Sequence, residues 1–248
     1  MKLQKRAIKT ILVAMGMLIF LVMASPVSAV ELPVNLGTLD NFAVLAGSTI
    51  TNTGSTTIGG SIGVSPGTAV TGFPPGILSA GIMHTADATA SQAQLDLVTA
   101  YNDAAGRTAT VNLTGQDLGG RTLVPGVYTF NTSAQLSGNL TLDAQSDASA
   151  VFVFKIGSTL TTSSASVVNL INGALPSRVF WQVGSSATLN TNTIFAGNIL
   201  ALESITAQTG STIQGRLLAR NGAVTLDSNV ITTLVAAAPT PVPTATPT

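Results

Sequence analysis

Two neighbouring stretches, "FAGNILALESITAQTGSTIQG" (residues 195–215) and "IQGRLLARNGAVTLDSNVITT" (residues 213–233), are copies of one pattern. Gly197 aligns with Gly215 after 18 residues, and Ile205 aligns with Val224 after 19. Each copy contains three short apolar stretches separated by Gly, Asn or Ser. A repeat of this length with three strands per turn is typical of a β-solenoid, because a single turn cannot bury its apolar side but stacked turns share a core.

The same three columns of short strands continue towards the N-terminus. The first column contains "VYTF" (127–130), "VFVFKI" (151–156), "VFWQV" (179–183), "NILAL" (198–202) and "RLLAR" (216–220). The second contains "QLS" (135–137), "TLT" (159–161), "TLN" (188–190), "SIT" (204–206) and "AVT" (223–225), and the third contains "LTLD" (140–143), "VVNL" (167–170), "TIFAG" (193–197), "STIQG" (211–215) and "NVITT" (229–233). The stretch at 48–64 fits a sixth turn that starts in the second column. We therefore predict a mainly β fold, a right-handed β-solenoid of triangular cross-section.

Residues 86–105 depart from this pattern. Ala90, Ala93, Leu97 and Tyr101 recur at spacings of three and four, which predicts an amphipathic α-helix. About 20 residues at 1.5 Å each span roughly 30 Å. Six stacked turns at about 4.8 Å have a similar height. The helix can therefore lie along one whole face of the solenoid.

The first column is the face that the helix should cover. Side chains alternate along a strand, so Val153, Leu200 and Leu218 are expected to point away from the interior. A column that is apolar on both sides needs a second covering layer. We expect the helix to supply that layer.

The second column should expose small hydroxyls. Its central residues, such as Leu160 and Ile205, are aliphatic and should point inwards, which turns their neighbours outwards. These outward positions form the candidate site, namely Thr49, Thr51, Ser137, Thr159, Thr161, Thr188, Asn190, Ser204, Thr206 and Thr225. Gln135 and Ala223 interrupt the set, and no outward position on these strands carries a charge. The high β-propensity of Thr is an alternative explanation.

The third column differs in its expected outward residues, which are Asp143, Asn169, Phe195, Gln214 and Ile231. Such a mixed set shows no regular chemistry. The second column is therefore the predicted functional face.

The two ends of the chain have compositions of their own. Residues 1–29 combine a basic start, an apolar run and a small-residue "SPVSA" end, which is typical of a cleaved secretory signal peptide. Residues 236–248 are rich in Pro and Thr, which favours an extended linker or tail. The solenoid domain is thus expected at 30–235, in a secreted or cell-surface protein. Four of the ten basic residues and none of the ten acidic ones lie in the leader, so the rest carries a net charge of −4.

The sequence resembles the ice-binding proteins of microbes and fungi, a family with a discontinuous β-solenoid and a flanking helix. The stretches that carry the resemblance include "GRTLVPGVYTF" (120–130), "AVFVFKIGSTLTT" (150–162) and the repeat at 195–229, and the resemblance covers nearly all of residues 31–234. It implies that the first turn stacks beside the C-terminal turn. It also implies adsorption to ice and ordered water through one flat face, with inhibition of ice growth or recrystallisation.

Other classes of function find less support. Polysaccharide-cleaving solenoids need clustered carboxylates or a bound cation, whereas the acidic residues here fall in different columns or at turns. Without Cys and with a single His we predict no metal site and no cofactor. No basic patch favours nucleic acid, and we expect a monomer without membrane insertion after leader cleavage. A surface adhesin or structural solenoid without ice activity stays open as the alternative.

Overall fold

The computed structural model describes residues 31–233. The predicted signal peptide at 1–29 and the Pro/Thr-rich tail at 236–248 lie outside these residues, as do both ends of the predicted domain at 30–235. Within the described part the chain forms one α-helix, α1 (Ala88–Gly106), and two short 3-10 helices, Gly37–Asn41 and Pro176–Arg178. None of the described helices is long and apolar enough to cross a membrane.

The strands are short and follow one another along the chain. They are β1 (Phe42–Ala46), β2 (Thr49–Thr53), β3 (Thr57–Gly59), β4 (Ser61–Val64), β5 (Ala69–Thr71), β6 (Ile77–Ala80), β7 (Met83–Thr85), β8 (Val111–Asn112), β9 (Thr122–Leu123), β10 (Gly126–Phe130), β11 (Ala134–Leu136), β12 (Asn139–Asp143), β13 (Phe152–Ile156), β14 (Leu160–Thr162), β15 (Val167–Ile171), β16 (Val179–Val183), β17 (Ala187–Leu189), β18 (Ile194–Ala201), β19 (Ile205–Ala207), β20 (Thr212–Ala219), β21 (Val224–Asp227) and β22 (Val230–Thr232).

All strand pairs are parallel, and they stack into three faces. The first face has the order β8-β10-β13-β16-β18-β20-β1-β4-β7, and the second has β11-β14-β17-β19-β21-β2-β5. The third face has the order β9-β12-β15-β18-β20-β22-β3-β6. β18 and β20 belong to both the third and the first face, because each passes from one face into the other without a break. The predicted solenoid with three strands per turn is confirmed.

The N-terminal turn stacks on the C-terminal one, as the resemblance implied. β1 pairs with β20, β2 with β21 and β3 with β22. The prediction that this turn starts in the second column is wrong, since β1 on the first face begins it. Residues 61–80 then add a further turn, β4–β5–β6, beyond the six that the repeat predicted. The irregular spacing of residues 65–76 conceals this turn in the sequence.

The interior is filled by aliphatic and aromatic side chains, one or two from each strand. Trp181 stacks on Phe154 with ring centroids 3.9 Å apart and an interplanar angle of 8°. Its indole Nε1 donates to the carbonyl of Ala196 at 3.1 Å, so the buried polar atom is satisfied. Stacks of large apolar side chains along the axis, each contributing about 1.5–3 kcal/mol on burial, stabilise every turn against its neighbours.

The helix covers the first face. Helix residues Leu97 and Ala100 share an apolar cluster with Val153, Leu200 and Leu218, all of them buried. The predicted location is confirmed, and the observed span Ala88–Gly106 differs by two residues at its start and one at its end from the predicted 86–105. The helix begins where the carboxylate of Asp87 accepts a hydrogen bond from the backbone N–H of Ala90 at 2.8 Å.

A column of buried polar residues stabilises the corner between the second and third faces. Its members, one per turn, are Ser166, Thr193, Ser211, Asn229 and Thr56, each fully buried. Thr193 Oγ1 donates to the carbonyl of Asn190 at 2.6 Å, and Asn229 Nδ2 donates to the carbonyl of Gln208 at 2.9 Å. Backbone carbonyls at a sharp turn cannot all pair within the sheets, so these side chains satisfy them.

The same corner requires a left-handed backbone in each turn. Positive φ angles of 51° to 83° occur at Gly138, Ala165, Asn192, Gly210, Ser228, Gly54 and Gly72. Gly, Asn and Ser therefore separate the strands of the repeat because they tolerate this conformation or the tight turn around it. The corner sets the angle between the second and third faces.

Candidate functional site

The second face alternates between buried and solvent-facing side chains on every strand except the terminal β5, where Val70 is half-buried. On β17, for example, Ala187 and Leu189 are buried while Thr188 between them faces solvent. The same holds for β2, where Ile50 is fully buried between Thr49 and Thr51. All ten predicted site residues lie on the solvent side of this face: Thr49, Thr51, Ser137, Thr159, Thr161, Thr188, Asn190, Ser204, Thr206 and Thr225. Their predicted orientation is confirmed, and their contact with ice stays a prediction.

The alignment of these residues between turns differs from the sequence prediction. The repeat placed Thr188 beside Thr159 and Ser204, but the strands pair Thr188 with Thr161 on one side and Thr206 on the other. The difference is two residues along the strand. A shift of two leaves every side chain on the same face, so the alternation of apolar residues cannot detect it.

In the observed register the outward residues form three rows. The central row comprises Gln135, Thr161, Thr188, Thr206, Thr225, Thr51 and Thr71, in the order of the strands. The leading row, two residues earlier on each strand, comprises Ser133, Thr159, Ser186, Ser204, Ala223, Thr49 and Ala69. The trailing row, two residues later, comprises Ser137, Ser163, Asn190, Gln208, Asp227 and Thr53.

Six of the seven residues in the central row are Thr, on six consecutive strands. Adjacent strands lie about 4.8 Å apart, so these hydroxyls extend over roughly 24 Å. Thr71 was missed by the sequence analysis. It follows Val70 in "TAVTG" (68–72), and this alternation of Thr with an apolar residue is the signal that could have revealed it.

Within residues 31–233 the threonine hydroxyls of the central row have no hydrogen-bond partner. Among residues 31–233, no side-chain hydrogen bond involves Thr161, Thr188, Thr206, Thr225, Thr51 or Thr71. Flanking rows behave differently, since Thr159 Oγ1 donates to Ser133 Oγ at 2.8 Å and Ser163 Oγ donates to Ser137 Oγ at 3.3 Å. The central hydroxyls are therefore free to bind water.

The central row is also stiff. Each Thr is β-branched, which restricts its χ1 angle, and it stands on a strand that is paired on both sides except at the ends. Beneath it, fully buried residues such as Leu160, Ile205 and Val224 anchor the strands to the core. A water layer on this surface meets a fixed array of groups and not a set of mobile side chains.

The prediction of a wholly uncharged face is wrong at its margins. Asp227 lies in the trailing row beside Thr53, where its carboxylate accepts hydrogen bonds from Thr209 Oγ1 and from Ser228 Oγ. Asp117 pairs with Gln135 beyond one end of the central row. Burial would raise the pKa of Asp117, but hydrogen bonds from Gly119 and Ser137 outweigh it and hold the pKa below its usual range. The charges therefore border the central row without entering it.

The third face needs a correction of its own. Phe195 and Ile231 were expected to point outwards, yet both are fully buried. Their strands pair as the column predicted, Phe195 with Ile213 and Ile213 with Ile231, but this residue of each strand is the one that points into the core. Asn169 and Gln214 do face solvent. In the described part of the chain, no cluster of His, Asp or Glu side chains is arranged to hold a metal ion.

The fold and the site together define a class of protein: a parallel β-solenoid with one helix-covered face and one bare face that carries a regular threonine row. A family profile described as Ice-binding-like matches residues 44–232, and the chain belongs to this family. It is 58% identical over 197 residues to an ice-binding protein of Nostoc sp. (strain HG1), covering 79% of this chain and 72% of the relative. An ice-binding protein of Flavobacterium frigoris is 32% identical, covering 80% and 76% respectively.

Solved structures agree with this assignment. A crystal structure of an ice-binding protein from an Antarctic biological consortium matches with a TM-score of 0.80 and 53% identity, covering 83% of this chain and 93% of that one. The ice-binding protein of the Antarctic ascomycete Antarctomyces psychrotrophicus matches with a TM-score of 0.78 and 45% identity, covering 81% and 98%.

Proposed function

We propose that this protein binds ice through the second face, with the central row as the main contact. The observation that carries the proposal is the row of six threonine hydroxyls in direct register, none of which forms a hydrogen bond with another described residue. Family membership and the names of the relatives support ice as the ligand. The flanking hydroxyls of Thr49, Thr159 and Ser204 widen the contact on one side.

A crystal surface repeats, so a protein that contacts it gains most from groups that repeat as well. Ordering one water molecule costs up to about 2 kcal/mol in entropy, so a single contact through water contributes little to the binding free energy. Once one Thr has docked, however, its neighbours on adjacent strands are already in position, which makes the remaining contacts intramolecular. The stiff scaffold loses little conformational freedom on binding.

The lack of charge in the central row favours the same conclusion. An ionised side chain holds water in its own hydration shell, oriented by the charge and not by a lattice. A threonine offers one hydroxyl that both donates and accepts and one methyl group that water can enclose. Protein adsorbed in this way pins the crystal surface and makes growth between attachment points unfavourable. The proposed mechanism is adsorption without covalent chemistry.

We further propose where the protein acts. The leader at residues 1–29 favours export, and ice outside the cell is the surface that an exported protein meets. A monomer suffices, because the central row lies within one chain. The measurement is antibody detection in the culture medium and cell fractions, and a chain that stays in the cytoplasm contradicts the proposal.

The test of the ice contact is a bulky substitution in the middle of the central row. Thr188→Tyr should abolish most freezing-point hysteresis and recrystallisation inhibition, because a phenol ring lifts neighbouring hydroxyls at about 4.8 Å away from the crystal. The matched control is Gln214→Tyr on the third face, where the side chain is exposed to solvent and the variant should retain activity. Both variants should melt like the unmodified protein by circular dichroism. Full activity in Thr188→Tyr would overturn the proposal.

A further inference from the structure

The two ends of the solenoid are closed to different degrees. At the end formed by β8 and β9, the inward residues are buried, namely Leu113, Leu118 and Leu123. At the other end the last strands are β5, β6 and β7, which belong to residues 65–85. We call residues 65–85 the open end.

The inward residues of the open end are poorly covered. Met83 pairs with the fully buried Ile62 and points the same way, yet 42% of its surface is exposed. Val70 and Leu78 hold the corresponding places on β5 and β6 and are only half-buried. Ile82, in the turn between β6 and β7, is 61% exposed. A contiguous apolar surface of this kind marks a contact with a further segment or partner.

The backbone at the open end is unpaired as well. Within residues 31–233, β5, β6 and β7 each pair with another strand on one side only. Charged side chains commonly protect such edges from pairing with further chains. The open end contains no Asp, Glu, Lys or Arg, whereas the opposite end carries Arg107, Asp117 and Arg121. The open end is therefore ready to accept another strand.

We propose that the C-terminal segment, residues 234–248, folds back and covers the open end. The segment lies outside the described residues, but it starts close by. Thr233 Oγ1 donates to the carbonyl of Gly59 on β3 at 2.7 Å, and β6 is the next strand beyond β3. From β22 to β6 there are two strand spacings, or about 10 Å. Three or four extended residues, at about 3.3 Å each, bridge this distance.

The composition of the segment suits this place. It begins with the apolar stretch "LVAAA" (234–238), which can cover the exposed aliphatic side chains. Pro239, Pro241 and Pro243 then alternate with other residues. Successive N–H groups of an extended strand point to opposite sides, so these prolines leave the N–H groups on one side only. That side can pair with the open end, while the side without donors prevents further strands from adding.

A segment of the same chain is favoured over a second copy by the size of the surface. The strands β5, β6 and β7 have only three, four and three residues. They offer less than the roughly 800 Å² per partner that a stable interface buries. A tethered segment needs less area, because its attachment nearby gives an effective concentration in the millimolar range.

The experiment traps the segment with a disulfide in the full chain, which contains no cysteine of its own. Ile82→Cys with Ala237→Cys places one thiol at the open end and one in the segment. The matched control is Leu175→Cys with Ala237→Cys. Leu175 is also exposed and also lies between the third and first faces, but three strands from β22 in the opposite direction. Under mild oxidation the first pair should form an intramolecular disulfide at least about ten times faster than the control, measured by mass spectrometry.

A charge in the segment tests the same contact without added thiols. Leu234→Asp with Val235→Asp should make the backbone amides of β5, β6 and β7 exchange with solvent about ten times faster or more, because a charged segment leaves an apolar surface. Thr246→Asp with Thr248→Asp adds the same charge at the far end of the segment. This control should leave the exchange unchanged.

Three outcomes overturn the inference. Equal disulfide rates for the two cysteine pairs would show that the segment does not dock at the open end. Unchanged amide exchange in Leu234→Asp with Val235→Asp would show that β5, β6 and β7 do not depend on it. Disulfide-linked dimers of an Ile82→Cys single variant, without an intramolecular product from the pair, would assign the open end to a second copy.

Discussion

The first and second faces are built from the same turns of chain, yet one is covered and the other is bare. On the first face the residues that point away from the interior are Val153, Leu200 and Leu218, and a helix buries them completely. On the second face the corresponding positions are Thr161, Thr206 and Thr225, and nothing in the described chain covers them. The outward residue on each strand, and not the strand itself, determines whether a face becomes core or contact surface.

The largest expected effect tests this comparison directly by placing the same charge on each face. Leu200→Asp buries an unpaired carboxylate under the helix and should cost about 4 kcal/mol or more, a large part of the stability of a typical domain. Thr206→Asp puts the carboxylate in water and should change the unfolding free energy by about 0.5 kcal/mol at most, while removing most ice activity.

Chemical denaturation and freezing-point hysteresis, measured on both variants, provide the check. A Leu200→Asp protein as stable as the original would mean that the helix does not seal the first face. A Thr206→Asp protein with full hysteresis would mean that the two faces differ in burial alone.

Much of this arrangement could be predicted from the sequence, because burial leaves a mark on alternate residues. The solenoid, the helix over the first face and the orientation of all ten site residues followed from where aliphatic residues recur. The register between neighbouring strands of the second face could not be predicted in this way. Ala187 and Leu189 both point inwards, so either could lie beside Leu160, and only the observed pairing shows that Ala187 does. The corners decide the register, and their lengths vary from turn to turn.

On the third face, the sequence analysis assigned some inward-pointing residues to the outside for a related reason. β18 and β20 pass through Gly197 and Gly215 from one face to the next without a turn residue that would mark the boundary. The sequence therefore contains no turn residues there that would show which residue of the strand points inwards. Phe195 on β18 was therefore placed on the outside, and Ile231, which occupies the same position two turns later on β22, was placed there with it.

A smaller effect is expected at the corner that separates the second and third faces. Asn229→Ala removes the donor to the Gln208 carbonyl and the acceptor for the Asp227 backbone N–H, which should cost about 1–3 kcal/mol. Asn229→Ser is the matched control, since Ser211 fills the same place one turn away, and it should cost less. Denaturant midpoints rank the two variants. An equal loss would show that the size of the side chain matters there more than its hydrogen bonds.

Acid should separate stability from ice binding. Hydrogen bonds from the Thr38 side chain and backbone hold the pKa of Asp96 below its ordinary value of 3.8, and the Ala90 backbone does the same for the pKa of Asp87. A lowered pKa stabilises the fold above the ordinary value, and this contribution is lost as the pH falls through about 3.8 towards the folded-state pKa. Both carboxylates tie the helix in place, so the first face should loosen first.

The central row contains no group that titrates, so ice activity should stay constant while the protein is folded. Hysteresis measured between about pH 5 and pH 9 should be flat. Thermal melting followed over the acid range supplies the other half of the comparison. A hysteresis that changes with pH while the melting temperature does not would contradict the expectation that no titrating group takes part in the ice contact.

The smallest effect is an expected gain. Gln135→Thr would extend the central row from six consecutive threonines to seven, adding about 4.8 Å to its length. Among the described residues the Gln135 side chain makes one hydrogen bond, from its Nε2 to Ser163 Oγ at 3.3 Å, so stability should hardly change. Hysteresis should rise slightly. Ala223→Thr adds a threonine to the leading row, and its effect on hysteresis shows whether the central row contributes more to the ice contact than the leading row. A larger gain from Ala223→Thr would move the main contact to the leading row.

The pairing of the first turn with the last has a consequence for biogenesis. Thr51 and Thr225 are side by side although the chain that joins them contains nearly every other element of the domain. Until the final strands have left the ribosome or the export channel, the first turn can pair only with β4, β5 and β6, and the central row exists only as two separate fragments. A prematurely terminated chain lacks the last strands, so the two parts of its central row cannot be joined. Only the completed chain therefore has a continuous row.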